Sequence, residues 1–194
     1  MEIASNGAWL NKTNEGHCFD HKLAQAIAEF CQQHHLNTLL DLGCGDGSYV
    51  EYFTALSEHI YPIGLDGNPH TMAIANCRLE YPRCFTADLS VPLRMGNKVS
   101  FELALALEVG EHVPKGVEGI FIDNVCKYTR EWVILSWAIP NQTGDGHVNC
   151  KTNEEIIDHM VKRGFGYWKK ASEELRDAAE LPWFKDTVMV FKRY

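Results

Sequence analysis

The chain has 194 residues, 45% of them hydrophobic, enough to bury one sizeable core in a single domain. A net charge of −8, with 18 lysines and arginines in no dense run, argues against a nucleic-acid backbone as partner. Seven cysteines without a CxxC pair read as reduced thiols. The absence of a signal pattern or of about 18 consecutive apolar residues points to a soluble cytoplasmic protein with no membrane contact.

Residues 1–19 lack periodicity and read as an arm, with His17 and Phe19 placed either in a lid or in a frayed end. From Asp20, the spacing of Leu23, Ala26, Ile27, Phe30 and Cys31 predicts a helix to about His34. Strand-like runs follow at 38–42, 61–65, 83–87, 101–107 and 132–136, alternating with helical patterns at 49–57, 70–78 and 117–128. Such alternation means βαβ units and a parallel sheet. Thr152 and Glu155 form a capping box for a helix ending at Arg163 before Gly164. Final strands are expected at 166–170 and 187–192, with 171–186 between them. The fold class is α/β, a doubly wound Rossmann-like sheet in a single domain over 20–194.

In such sheets ligands sit beyond the carboxyl ends of the strands. The first strand ends in Asp41 and a loop with Gly43, Gly45 and Gly47, whose missing side chains allow a tight turn and close approach to a ligand. Ser48 stands where the dinucleotide pattern GxGxxG has its last glycine, which counts against NAD, and no P-loop GK[ST] follows. The second strand ends in Asp66, about 20 residues on, suited to a ribose diol, although Asp66-Gly67-Asn68-Pro69 is also turn chemistry. Asp88 and Leu89 follow the third strand, where a short carboxylate can face an adenine amino group or cap a turn. Glu108, Glu111 and His112 cluster after the fourth. Glu108 reads as a cofactor or substrate contact; for Glu111 and His112, catalysis and turn-capping are both open.

Taken together, Asp41–Gly47, Asp66, Ala87-Asp88 and Leu107–Val113 resemble the class I S-adenosylmethionine-dependent methyltransferases. The resemblance runs from about Asp20 to the C-terminus. It implies a seven-stranded, mostly parallel sheet with an antiparallel last strand. It also implies S-adenosylmethionine as cofactor, with its methionyl part on Gly43–Gly47, ribose on Asp66 and adenine near Asp88. Neither Asn-Pro-Pro-Tyr nor Asp-Pro-Pro-Tyr follows the fourth strand, which further lowers nucleic acid as acceptor.

The segment 137–150 is long for a strand-to-helix connection and carries mixed polar groups between glycines. It is expected to build the pocket of a small polar acceptor from Trp137, Asn141, His147 and Asn149, with Trp137 as an apolar or cation-holding wall. His147 is the leading candidate base, since an imidazole ordinarily titrates near neutrality; a solvated loop is the plain alternative. Trp183 and Phe184 read as core or edge cover. No metal-ligand set is assigned. Methyl transfer to a small polar metabolite is the leading reading. Intramolecular chemistry on the sulfonium, an NAD-dependent oxidoreductase and a non-catalytic cofactor-binding module are the rivals.

Overall fold

The computed structural model of the chain describes residues 2–10, 12–13, 16–56, 59–96 and 98–194. Seven strands form one sheet: β1 (Thr38–Leu42), β2 (Tyr61–Asp66), β3 (Cys84–Thr86), β4 (Phe101–Ala106), β5 (Thr129–Leu135), β6 (Phe165–Tyr167) and β7 (Met189–Arg193). Their order is β3-β2-β1-β4-β5-β7-β6, with β7 antiparallel to both neighbours and the other pairs parallel. The helices are α1 (His21–Gln33), α2 (Ser48–Leu56), α3 (Thr71–Asn76), α4 (Glu118–Lys127), α5 (Asn153–Val161), α6 (Lys169–Ala178) and α7 (Phe184–Thr187).

Successive strand residues point to opposite faces, and both faces are covered. Leu103, Leu105, Trp132, Ile134 and Val190 pack with Leu23, Ile27 and Phe30 of α1 and Leu175 of α6. Their neighbours Ala104, Ala106, Val133, Leu135, Met189 and Phe191 join Phe121 and Val125 of α4 and Ile156 and Met160 of α5. Asp20 caps α1 by accepting from the Leu23 N–H at 2.9 Å. The Thr152–Glu155 capping box forms at the start of α5.

Several boundaries differ from the sequence expectation. β5 begins at Thr129, where it pairs with Phe101, because the polar Arg130 and Glu131 mask a strand start. The strand expected over 166–170 is Phe165–Tyr167, and Lys169 already belongs to α6. That helix is marked by Lys169–Glu173 and Lys170–Glu174 pairs, each 3.6 Å, over a stripe of buried Ala171 and Leu175. Ser57, expected at the end of the second helix, lies outside the described residues. All seven cysteines are free, and no helix among the described residues is long and apolar enough to cross a membrane.

The strand order reverses between β1 and β4, so the residues after these two strands flank a crevice at the switch point.

Candidate active site

A cavity of about 350 Å³ opens at this switch point, within the size range of small-molecule pockets. Gly43, Gly45 and Gly47 all take positive φ, at 92°, 54° and 78°. A Cβ on Gly43 would stand 2.3 Å from the Val109 side chain, and one on Gly47 2.5 Å from Ala75. These two glycines let the loop pack against the body. Gly45 instead faces the arm, where a Cβ would meet the His17 ring at 2.5 Å.

Asp66 braces the same loop: it accepts from the Gly45 N–H at 2.8 Å and the Asn68 N–H at 2.7 Å. Burial raises its carboxyl despite these bonds. Asp41 lines the cavity, and burial followed by the charges of Asp66 and Asp46 pushes it up to about 8. Leu89 lines the cavity as well, whereas Asp88 and Gly47 do not. Asp88 accepts from the Ser90 N–H (2.9 Å) and hydroxyl (2.7 Å), holding the turn after β3.

The segment after β4 gathers carboxylates and imidazoles from two stretches of chain. Glu108 sits at φ 52°, a backbone conformation costly for a residue with a side chain. Its N–H donates to Ser136 Oγ at 2.8 Å, and its Oε2 accepts from Gln142 Nε2 at 2.7 Å. Glu111 is completely buried, and neither carboxylate oxygen has a hydrogen-bond partner. Burial, then the nearby Glu108 charge, hold its carboxyl well above the usual range. His147 Nε2 lies 4.0 Å from Glu111 Oε1, and the His147 ring stands edge-on to His112 with centroids 5.0 Å apart. Burial and that neighbour push His112 down to about 4. One ligand atom each from Glu111, His112 and His147 lies within 4.8 Å of the others, a set able to hold a metal ion. No local spacing marks this set, because His147 is 35 positions downstream of His112 on an irregular loop.

Other expected acceptor residues lie apart from the cavity surface. Trp137 is buried beneath it rather than on its wall: its Nε1–H donates to the Asn149 carbonyl at 2.6 Å. Its ring fills the space where a Gly110 Cβ would come within 2.0 Å, so Gly110 is the residue that lets the motif lie on the indole. Asn141 is exposed at φ 75°, and Asn149 is buried with its side chain unpartnered. Phe19 packs edge-on to Tyr49, 4.9 Å between centroids, outside the lining. His17, His147 and Gln142 do line the cavity. So do Trp183 and Phe184, which the sequence had suggested were only core or edge cover. They are held there because Asp20 accepts from the Glu180 and Leu181 N–H groups at 2.8 and 2.7 Å, an attachment no local pattern reveals.

No model of a known protein family matches the chain. It is similar to ubiquinone biosynthesis O-methyltransferases of Nitrobacter winogradskyi (28% identical over 138 residues) and Rhodopseudomonas palustris (27% over 138). Each match covers 68% of this chain and 49% or 51% of the relative, so the chain spans about half the length of these relatives. Among solved structures, it is similar to an amino pentose methyltransferase from Micromonospora echinaspora with S-adenosylmethionine bound. The TM-score is 0.70 at 16% identity, covering 93% of this chain and 94% of that one. A magnesium protoporphyrin IX methyltransferase from Synechocystis with bound S-adenosylhomocysteine gives 0.66 at 16%, covering 90% and 84%. The fold is therefore the one that class I S-adenosylmethionine-dependent methyltransferases share.

Proposed function

We propose that a chain with this fold and this cluster transfers the methyl group of S-adenosylmethionine to a hydroxyl oxygen of a small molecule. The observation that carries the reading is Glu111: a fully buried carboxylate without a hydrogen-bond partner, beside two imidazoles that line the cavity. A neutral amine attacks a sulfonium carbon without a base, whereas a hydroxyl must lose its proton. Two carboxylates and two imidazoles suit the second case. The O-methyltransferase relatives support oxygen as the accepting atom.

Each end of the cavity has its task. The glycine loop, Asp66 and Leu89 receive the cofactor, and the acidic lining favours its cationic end. His147 takes the acceptor proton through Nε2, while its Nδ1–H donates to the Gln142 carbonyl at 3.1 Å. Gln142 holds Glu108 at the rim. Glu111, His112 and His147 also fit a divalent cation, which when bound would acidify a coordinated hydroxyl. Trp137 and Gly110 are positioning residues that keep the motif seated. Methyl transfer itself is an in-line displacement, so the protein's main contribution is alignment.

The test is incubation with S-adenosylmethionine and a panel of small phenols, catechols, aliphatic alcohols and amines, with and without Mg²⁺, Mn²⁺ or Zn²⁺, read by product mass. Methyl ethers of one hydroxyl class are expected, with the rate falling on His147→Ala while cofactor affinity holds. Methylation of amines alone, or demethylated cofactor appearing without any acceptor, would overturn the reading.

A further inference from the structure

We propose that Trp9 and His17 of the arm form the seat of the cofactor's α-carboxylate, each donating a ring N–H to it. The inference rests on the cofactor reading above and assigns a part of the ligand that the strand-end residues leave unmet. S-adenosylmethionine carries a sulfonium, an ammonium and a carboxylate. The cavity lining includes Asp41, Asp46, Asp66, Glu108 and Asp145, and among the described residues no lysine or arginine. That lining welcomes both cations and repels the carboxylate, which needs N–H donors to be held there.

Two donors stand together in the arm. Trp9 and His17 both line the cavity, with ring centroids 5.4 Å apart. Trp9 Nε1 and His17 Nε2 are buried, and neither has a hydrogen-bond partner. An indole nitrogen can only donate, and an imidazole donates from Nε2 in the matching tautomer. Two neighbouring buried donors without acceptors are costly unless a ligand supplies the acceptors. Their place selects which ligand group this is. The His17 ring lies against Gly45, the middle glycine of the loop that receives the methionyl part. Trp9 also meets His112 edge-on at 5.3 Å, so the seat joins the cofactor end of the cavity to the acceptor end.

The arm can respond to the ligand. Among the described residues, all of its backbone–backbone hydrogen bonds are internal, from Ala4 to Ala8, Gly7 to Ala4 and Leu10 to Glu2. It is fixed to the body by side chains and close packing, such as Gly7 on the His112 carbonyl.

Calorimetry on the full chain with two ligands tests the seat. S-adenosylhomocysteine carries the carboxylate; methylthioadenosine keeps the adenosine and thioether but lacks the amino-acid end. Trp9→Phe and His17→Phe keep a ring and remove the donor. Each is expected to weaken S-adenosylhomocysteine about 10- to 100-fold, as for a lost hydrogen bond to a charged group, and to leave methylthioadenosine within about twofold. Unchanged S-adenosylhomocysteine affinity, or an equal loss for both ligands, would overturn the assignment. Wild-type chain that binds neither ligand would instead overturn the cofactor reading itself.

Discussion

Replacing Glu111 by glutamine should push stability and function in opposite directions. The side chain is fully buried with no hydrogen-bond partner, so in cation-free protein at pH 7.5 it must hold a proton or stay an uncompensated charge. Burial holds its carboxyl well above the usual range, so a neutral side chain of the same shape escapes the cost of keeping a proton that an exposed carboxyl would release. The amide that replaces it is buried with few partners, which takes back about 1–3 kcal/mol. The net expected is a higher Tm in chelator, by roughly 2–4 °C for each kcal/mol gained in a domain of this size. Wild-type protein should rise by about 5–10 °C in Mn²⁺ or Zn²⁺ at a hundredfold excess over Kd, since such binding is worth about 2.7 kcal/mol. Glu111→Gln should lose most of that rise together with methyl transfer. Thermal melts in chelator and in each metal, beside turnover, read all three quantities. A variant that melts below wild type in chelator and still turns over would refute the reasoning.

Gly110→Ala places a methyl 2.0 Å from the Trp137 ring and should cost about 1–3 kcal/mol or more, measured by urea unfolding. Asp20→Ala removes the α1 cap and the acceptor of the Glu180 and Leu181 N–H groups. A loss of about 2–4 kcal/mol is expected in urea unfolding, because the helix cap and the anchor of the segment carrying Trp183 and Phe184 go together. Asp41 has a folded value of about 8 against an ordinary 3.8, so the folded chain keeps a proton that the unfolded chain releases between those values. Stability from this site therefore falls as pH rises from about 4 to 8, by up to about 1.4 kcal/mol per unit. Asp41→Asn should melt progressively higher than wild type from pH 5 to pH 8 in the absence of cofactor; a constant difference would count against the shift.

The sheet was legible because its signals are local. Apolar runs such as 101–106 need cover on both faces, which implies crossover helices, and the glycines after Asp41 mark the first strand's end. The α6 helix was missed although its i,i+4 charge pairs are readable, since a strand was expected to extend into it. Asp41, Asp66, Leu89, Glu108, His112 and His147 line the cavity, and their places after strands or within the long loop are readable along the chain. Trp137 was misjudged: an aromatic beside a polar loop looks like a wall until Gly110 is seen to receive its ring.

The sequence by itself determined the α/β class, the parallel core and the edge at which a ligand sits, because apolar runs, helical spacing, caps and glycine turns act over a few residues. Only the tertiary structure decided which polar groups meet. Glu111 and His147 come within 4.0 Å, Asp20 ties residues 160 positions away, and Trp9 and His17 fold onto the glycine loop. Those pairings depend on how irregular segments pack over a finished sheet, and no periodicity along the chain encodes that.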